Sequence, residues 1–160
     1  MSDLFRGLGR LVRRFPFVFL IGAVVVGGVV FREYLSGAAA DLRPGDCFDL
    51  PSAETDIVED VQHRPCGEPH DSEVFLVVEH AAPDGAPYPE SVAFDSFIES
   101  ECERGFESYT GLDYDTEPSL YFASFVPSPE GWNEGDRKII CYAFRFDEQK
   151  VTGSLRAPSR

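Results

Sequence analysis

An uncharged apolar stretch runs from Phe15 to Phe31 and separates a basic start from an acidic remainder. Its 17 residues, FPFVFLIGAVVVGGVVF, contain no acidic or basic side chain. As an α-helix they would span about 25 Å, close to the thickness of a bilayer core. Arg13, Arg14 and Arg32 flank the stretch, and their long side chains can reach the headgroup region. The sequence therefore predicts a transmembrane helix at 15–31.

The arginines around this segment predict its orientation. Of the five arginines in residues 1–40, four precede the segment and one follows it. The positive-inside rule then places the N-terminus in the cytoplasm. The predicted organisation is a basic cytoplasmic tail (1–14), the membrane helix (15–31), a short stalk (32–43), an extracytoplasmic domain (44–156) and a tail (157–160).

A cleavable signal peptide is the alternative to a membrane anchor. Residues 38–40 are three alanines, and they resemble a small-residue cleavage site that would cut between Ala40 and Asp41. Against cleavage, the 17 apolar residues exceed the usual signal-peptide core of roughly 7–15 residues. No cysteine directly follows the segment, so a lipid-modified cysteine is excluded there. We favour the anchor, in the cell membrane.

Small residues within the predicted membrane helix indicate one contact between copies of the chain. Ala23 and Gly27 are four residues apart, and Gly28 lies beside them. This small-xxx-small spacing lets two helices approach closely. Because glycine is frequent in membrane helices, self-association through this face is a secondary expectation.

The remainder of the chain is strongly acidic. Residues 1–40 sum to +3, whereas residues 41–160 hold 9 basic and 26 acidic side chains. Such a domain repels nucleic-acid phosphates and anionic lipid headgroups, so we expect neither as a ligand. The charge can simply keep the domain soluble; a basic partner or a diffuse layer of cations is the alternative. The many aromatic residues supply enough apolar mass for a core and argue against disorder.

Four isolated cysteines lie in this acidic part, at positions 47, 66, 102 and 141. No C-x-x-C pair occurs among them, so neither a zinc ribbon nor a thioredoxin-type motif is indicated. An even number of cysteines after a membrane segment predicts two structural disulfides in an oxidising compartment, with reduced core cysteines as the alternative. Of the three connectivities that four cysteines allow, we choose Cys47 with Cys66 and Cys102 with Cys141.

Hydrophobic periodicity predicts an α+β domain. Apolar positions at helical spacing indicate a helix from Pro89 to about Tyr109 that Gly111 ends. Its apolar stripe consists of Phe94, Phe97, Ile98, Cys102, Phe106 and Tyr109. Alternating or continuous apolar runs indicate five strands, at 45–50, 56–64, 73–80, 119–126 and 138–146. The order β-β-β-α-β-β predicts one small antiparallel sheet packed against a single helix and joined to it by a disulfide.

Two of these strands carry a specific prediction. In the strand at 73–80, strict alternation places Val74, Leu76 and Val78 on one face, with Phe75 and Val77 on the other. Both faces are then apolar, so the strand is expected at the centre of the sheet. In the last strand, the residues on one face are Ile140, Tyr142, Phe144 and Phe146, and Cys141 lies on the other.

A proline-containing turn provides the first candidate site. His70, Asp71 and Glu73 could serve in acid–base chemistry or hold a metal ion. His63 and His80 are not at local ligand spacing from them, so a metal site is not favoured. We favour the interpretation that His70 braces the turn through hydrogen bonds.

The last long turn, 127–136, provides the second candidate. Trp132, Asp136 and Arg137 form a candidate partner surface, although for Trp132 a lid on the core is the favoured alternative. The sequence shows no nucleophile beside a base and no phosphate-binding glycine loop. We therefore expect no catalytic residues, no metal ion and no cofactor.

Several pieces of this sequence, in this order, resemble the septum-formation domain family. The resemblance covers about 45–156 and implies a non-catalytic extracytoplasmic domain, anchored by one membrane helix and named for cell division. The pieces that carry it are Gly45-Asp46-Cys47-Phe48, Cys66, Pro69-His70-Asp71, Glu73-Val74-Phe75, Cys102, Pro129, Trp132, Gly135-Asp136-Arg137, Cys141 and Thr152-Gly153-Ser154-Leu155-Arg156.

Three functions are compatible with this reading. The first is a binding module that contacts other envelope or cell-division proteins. The second is an envelope receptor for a small ligand or cation, using the acidic surface and the turn at 69–71. The third, an envelope hydrolase, is disfavoured because the sequence shows no nucleophile–base pair.

Overall fold

The computed structural model describes residues 36–51 and 58–158. The predicted tail at 1–14 and membrane helix at 15–31, with Ala23, Gly27 and Gly28, lie outside these residues. Within them, no helix is both long enough and apolar enough to cross a bilayer. The elements in chain order are β1 (Ser36–Ala38), a 3-10 turn (Ala39–Asp41), β2 (Cys47–Asp49), β3 (Asp60–Arg64), β4 (Ser72–Glu79), α1 (Ser91–Thr110), β5 (Leu120–Phe125), α2 (Pro129–Asn133) and β6 (Lys138–Arg145).

The described strands form one antiparallel sheet of six, in the order β1-β3-β2-β4-β6-β5. Strand β4 lies inside the sheet between β2 and β6, as its two apolar faces predict. Helix α1 packs against β4, β5 and β6. The predicted architecture of an antiparallel sheet with one main helix is thereby confirmed, and the sheet has one strand more than expected.

The additional strand corrects the predicted stalk at 32–43. From Ser36 to Ala38 the chain pairs with β3, opposite Gln62 to Asp60. The 3-10 turn that follows buries Ala39, and Leu42 is also buried in the core. The stalk prediction is wrong from residue 36 onwards, because a three-residue strand of small side chains has too short a pattern to detect.

A bulge in β4 corrects the predicted alternation of its side chains. The pairing with β6 shifts between Val74, which lies opposite Tyr142, and Leu76, which lies opposite Cys141. Such a bulge places one extra residue in the strand and reverses the phase beyond it. Val74 therefore packs on one face of the sheet, while Phe75 and Leu76 both pack on the helix face.

The two faces of the sheet bury separate clusters. The cluster beneath α1 contains three residues of the predicted helical stripe, Phe94, Cys102 and Phe106. The opposite cluster is centred on Phe48, with Ile140 and Tyr142 from the predicted row in β6. Gly111 ends α1 in the left-handed conformation (φ 71°), a backbone that glycine adopts without steric cost. The helix begins at Ser91, two residues after the predicted start.

Both predicted disulfides are confirmed. Cys47 and Cys66 are bonded, with their Cα atoms 5.3 Å apart, and Cys102 and Cys141 are bonded at 5.7 Å. Cys102 faces the sheet from the buried stripe of α1, and Cys141 faces the helix from β6. The second bond therefore fastens the helix to the sheet, and the first closes the opening strands.

Candidate functional site

The carboxylate of Glu73, the second residue of β4, lies almost completely buried where β4 pairs with β2. Its side chain and backbone together are 1% exposed. Oε1 accepts hydrogen bonds from the Tyr109 hydroxyl and the Ser154 hydroxyl, both at 2.6 Å. Oε2 accepts one from the backbone N–H of Leu155, also at 2.6 Å. One carboxylate thus joins the sheet, the end of α1 and the C-terminal segment.

The Cys47–Cys66 disulfide lies directly beside this carboxylate. Cys47 is opposite Glu73 in the β2–β4 pairing. The two sulfur atoms and a Glu73 oxygen all lie within 4.8 Å of one another. The backbone N–H of Gly153 donates to the carbonyl of Cys66 at 2.7 Å, which holds the C-terminal segment against the disulfide.

A tyrosine and an arginine complete this arrangement. The Arg156 guanidinium lies 4.7 Å from the centre of the Tyr109 ring. Burial raises the pKa of Tyr109, and its hydrogen bond to the Glu73 carboxylate raises that pKa further. Gly45 has φ 95°, and a Cβ there would come within 3.5 Å of Arg156. We call these residues the Glu73 cluster: Gly45, Cys47, Cys66, Glu73, Tyr109, Ser154 and Arg156.

His70 lies close in sequence to Glu73 but makes a different set of contacts. Its side chain is fully buried, and Nδ1 is 2.8 Å from the carbonyl oxygen of Glu68. Its backbone exchanges two hydrogen bonds with Val151, at 3.0 and 2.8 Å. Nε2 has no hydrogen-bond partner among the described residues. His70 thus connects the turn to the C-terminal segment.

Asp71 belongs to a cluster of ion pairs on the surface. The Lys150 ammonium lies 2.6 Å from Asp49 and 2.9 Å from Asp71, and Arg64 lies 2.7 Å from Asp49. Burial raises the pKa of Asp49, but the hydrogen bonds from Lys150 and Arg64 outweigh it, so the pKa lies below its ordinary value. The three residues of the predicted turn, His70, Asp71 and Glu73, therefore do not converge on one site.

The predicted partner surface around Trp132 is largely internal. Trp132 is 1% exposed, and its indole N–H donates to the carbonyl of Ala86 at 2.8 Å. Arg137 is also buried, with its guanidinium 3.9 Å from the Trp132 ring centre. Only Asp136 of the three is exposed. Trp132 and Arg137 therefore cannot contact a partner in the folded domain, because α2 turns Trp132 inward and Arg137, just before β6, is buried against it.

Arg137 connects distant parts of the backbone. Its guanidinium donates to the carbonyls of Ala82, Pro83, Trp132 and Asp136 at distances from 2.7 to 3.2 Å. The arginine thereby ties the loop after β4 to the turn before β6. Within the described part of the chain, its positive charge faces carbonyl dipoles and an aromatic ring, and no salt bridge to a carboxylate includes it.

Aromatic side chains are exposed on the sheet face opposite α1. Phe146 is 66% exposed and Tyr121 is 41% exposed, with their ring centres 5.0 Å apart. Phe144 extends this series at 6.5 Å from Tyr121. We call Tyr121, Phe144 and Phe146 the aromatic row.

A groove of about 320 Å³ adjoins the aromatic row at Phe144. Arg145 lies in its wall and is held by Asp147, and the hydrogen bond from Arg145 lowers the pKa of Asp147 to about 2. The guanidinium is therefore paired with a carboxylate of the same chain at the protein surface. The groove is lined by Leu50, Pro51, Asp71, Phe144, Arg145, Glu148 and Gln149.

Comparison with known families identifies the domain. The model of the family described as septum formation matches residues 44–157. The chain belongs to the septum-formation family. The predicted resemblance is confirmed, and the family region begins just before the Glu73 cluster's Gly45 and ends just after its Arg156.

Two curated relatives share one name. A "Putative lipoprotein LppN" of Mycobacterium tuberculosis is 30% identical over 119 residues, which are 72% of this chain and 63% of that protein. The protein of the same name from Mycobacterium bovis matches with the same identity and coverage. The chain thus spans less than two thirds of the length of these relatives. No solved structure matches.

The partners of Glu73 could not be found from local sequence patterns. Tyr109 was assigned only to the apolar stripe of the helix, and Ser154 and Arg156 were noted only within the family resemblance. Ser154 is 81 residues from Glu73 in the chain. The signal that indicated them was the family resemblance, in which Gly45, Cys47, Cys66, Glu73 and Ser154-Leu155-Arg156 occur in this order. The fold brings these residues together.

Proposed function

We propose that this chain is an envelope-associated, extracytoplasmic binding module that contacts other envelope or cell-division proteins and catalyses no reaction. The exposed aromatic row carries this proposal. Large aromatic side chains supply much of the binding energy at protein interfaces when a partner covers them. Tyr121 and Phe146 are exposed together on one face, next to a groove that can receive a side chain.

The contacts of the buried polar groups support the non-catalytic part of the proposal. Glu73 accepts hydrogen bonds from three donors, and Arg137 donates to four carbonyls. These groups hold separate segments of the fold together. Such saturated contacts suit a rigid scaffold, because a general acid or base needs room to exchange a proton with a substrate.

The proposed attachment to the membrane is the apolar helix at 15–31. The curated relatives are named as lipoproteins. In the present sequence the first cysteine is Cys47, and it is bonded to Cys66. A lipid on that sulfur is incompatible with the disulfide, and we therefore place the tether at the uncharged segment.

Site-specific photocrosslinking in cells tests the binding function. A photoreactive phenylalanine analogue at position 146 should give discrete adducts with envelope or division proteins. The matched control is the same analogue at Val92, which is 72% exposed on α1. A Tyr121→Ser substitution should weaken the adducts formed at position 146. Equal labelling at positions 146 and 92, unaffected by that substitution, would contradict the proposal.

A receptor for a small ligand is the second candidate, and the groove beside Phe144 favours it. Its volume of about 320 Å³ is at the lower end of the range for small-molecule sites. Thermal-shift measurements with cell-wall fragments and with a panel of cations distinguish the two candidates. A specific rise in Tm that Gln149→Ala removes would support the receptor.

A further inference from the structure

Glu73 brings a carboxylate into the interior without a salt bridge to any of the described residues. Its hydrogen-bond donors are two hydroxyls and one backbone N–H. Arg156, the basic residue of the cluster, hydrogen-bonds to Tyr109; this bond raises the pKa of Arg156, and the charge of Glu73 adds a smaller contribution. A buried anion of this kind attracts a cation strongly, because little water is present to screen it.

Two sulfur atoms lie where a second and a third ligand would be needed. The Sγ atoms of Cys47 and Cys66 and an oxygen of Glu73 are mutually within 4.8 Å. Zinc bonds of about 2.3 Å to thiolate and about 2.0–2.2 Å to carboxylate place ligand atoms of one ion about 3.5–4 Å apart. Small side-chain rotations are enough to bring the three atoms to such distances.

The backbone holds both cysteines in place independently of their bond. Cys47 is paired with Arg64 on one side and with Glu73 on the other. The carbonyl of Cys66 accepts the N–H of Gly153 at 2.7 Å. After reduction of the disulfide, the two thiols therefore remain close to each other and to the carboxylate.

We propose that reduction of the Cys47–Cys66 disulfide creates a site for one thiophilic divalent cation, with Zn²⁺ as the best match. Cys47, Cys66 and Glu73 would be its protein ligands. Water takes the fourth position from the side of Cys66, which is half-buried, whereas Cys47 is buried. Zinc readily accepts sulfur and carboxylate ligands in such an open arrangement.

The reaction balances with a dithiol as reductant. The dithiol supplies two electrons and two protons to the Cys47–Cys66 bond and becomes a disulfide itself. The cation then replaces the two thiol protons, which pass to solvent, and forms two metal–thiolate bonds. Exchange with a small-molecule disulfide reverses the process: that disulfide takes the two electrons and two protons from solvent to become a dithiol, the Cys47–Cys66 bond forms again, and the cation is released.

The other disulfide provides an internal contrast. Cys102 and Cys141 are both fully buried within the apolar cluster beneath α1. Among the described residues, no carboxylate joins them in a group of potential metal ligands. An attacking thiolate needs access to a sulfur, so mild reduction should open Cys47–Cys66 first.

Cobalt binding to the full chain in detergent tests the proposal. The protein is reduced with limiting dithiol, and mass spectrometry after alkylation verifies that Cys102–Cys141 persists. Titration with Co²⁺ should then give a thiolate-to-cobalt charge-transfer band that saturates at one ion per chain. Zn²⁺ should remove the band by displacement, and the oxidised protein should show no band.

Matched variants assign the ligands. The variant with Cys47→Ser and Cys66→Ser should lose the band, while the variant with Cys102→Ser and Cys141→Ser should keep it after reduction. Glu73→Gln should weaken Co²⁺ binding at least tenfold, with the fluorescence of buried Trp132 as the check on folding. If Glu73→Gln does not fold, the proposal is tested on the wild-type chain: reoxidation of Cys47 and Cys66 should release the bound Zn²⁺.

Binding by the reduced wild type that is no tighter than by the Cys47→Ser, Cys66→Ser variant would overturn the proposal. So would retention of Zn²⁺ after reoxidation, or unchanged affinity in a folded Glu73→Gln variant. The proposal goes beyond the binding function of the aromatic row. The aromatic row lies on the sheet face opposite α1, whereas Glu73 contacts Tyr109 of α1. The two sites are separate, so one proposal can fail while the other holds.

Discussion

Two buried charged residues, Glu73 and Arg137, connect parts of the chain that are far apart in sequence. Each is satisfied by hydrogen bonds to neutral groups, and neither forms an ion pair among the described residues. Removing a buried charge leaves its partners without hydrogen bonds, and this costs more than the net contribution of the bonds themselves. Both residues should therefore be sensitive positions for stability.

Glu73→Ala should lower the free energy of unfolding by about 3–5 kcal/mol, because three donors lose their acceptor and a void remains. Urea unfolding of the oxidised protein at neutral pH measures the change. Glu99→Ala is the matched control, since Glu99 is exposed on α1. Its effect should stay within about 0.5 kcal/mol. A loss for Glu73→Ala no larger than for this control would show that the carboxylate does not hold the C-terminal segment.

Arg137→Lys should destabilise the domain by about 2–3 kcal/mol although the charge is kept, because an ammonium cannot reproduce the planar fork of donors. Trp132 reports the change directly, since the guanidinium lies 3.9 Å from its ring centre. The measurement is the urea midpoint followed by tryptophan fluorescence. Arg104→Lys on the exposed face of α1 is the control and should be nearly neutral. Equal midpoints for the two variants would contradict the bracing role of Arg137.

Sequence patterns predict residue contacts well only where the period of a helix or strand determines which way a side chain points. Cys102 lies in the apolar stripe of a helix and Cys141 on the helix-facing side of a strand, so their bond could be chosen correctly. Ser154 lies in an irregular segment, where no period fixes the direction of a side chain. Its contact with Glu73 therefore depends on the tertiary path of the chain.

At the scale of elements, the close approach of α1 to β4 depends on a glycine. A Cβ at Gly105 would lie 2.8 Å from Cδ2 and 3.1 Å from Cβ of Leu76, and 3.3 Å from the ring of Phe75. Cδ2 can rotate away, but the Cβ of Leu76 is fixed to the strand. A larger residue therefore has to push the helix from the sheet.

Gly105→Ala should destabilise the protein by up to about 2 kcal/mol, because overpacking costs about 1–3 kcal/mol and the gain in helix propensity offsets about 1 kcal/mol of it. Thermal unfolding of the oxidised protein measures this. Ser100→Ala, at an exposed position of α1, also adds helix preference, though less than Gly→Ala does, and it lacks the contact with β4. It should be neutral or slightly stabilising. A stabilising Gly105→Ala would mean that the helix can move away from β4 at no cost.

The ion pairs around Asp49 link β2 to β3 and to the segment after β6, and they make stability depend on pH. Because the folded pKa of Asp49 is lowered, its contribution is present above the unfolded pKa of about 3.9 and is lost as the pH falls through the folded value. Wild type should therefore lose more stability than Asp49→Asn between pH 6 and pH 2.5. The difference should be on the order of 1 kcal/mol or less, since Lys150 is 44% exposed. If the urea midpoints of both proteins change by the same amount between pH 6 and pH 2.5, Asp49 makes no such contribution to stability.

Element types were predictable from the sequence, but their irregularities were not. The strand at 73–80 was placed correctly at the centre of the sheet because both of its faces are apolar. The bulge at Phe75 reverses the predicted alternation of side chains. It depends on how β4 pairs with β6, and the amino-acid composition of the strand does not indicate it. Strand β1 escaped detection for a similar reason, as Ser36-Gly37-Ala38 has no apolar pattern.

At the scale of the whole molecule, the position of β1 bears on how the chain is processed. Cleavage after Ala40 would remove β1 and the buried Ala39, whose N–H donates to the carbonyl of Glu59 at 2.8 Å. A signal peptide that ends there would thus take part of the folded sheet with it. This favours an uncleaved anchor at 15–31 over the signal-peptide alternative.

The anchored topology predicts that the N-terminus stays in the cytoplasm and Arg160 lies outside it. The reason is the asymmetry of arginines, four before residues 15–31 and one after. A reporter that is active only outside the cytoplasm should give signal when fused after Arg160, and a tag before Met1 should remain on the membrane-bound protein. Replacing Arg6, Arg10, Arg13 and Arg14 by glutamine is the control, and it should reduce the signal. A mature protein that begins at Asp41 would show that the sheet forms without β1, whereas an active cytoplasmic reporter at the C-terminus would reverse the topology itself.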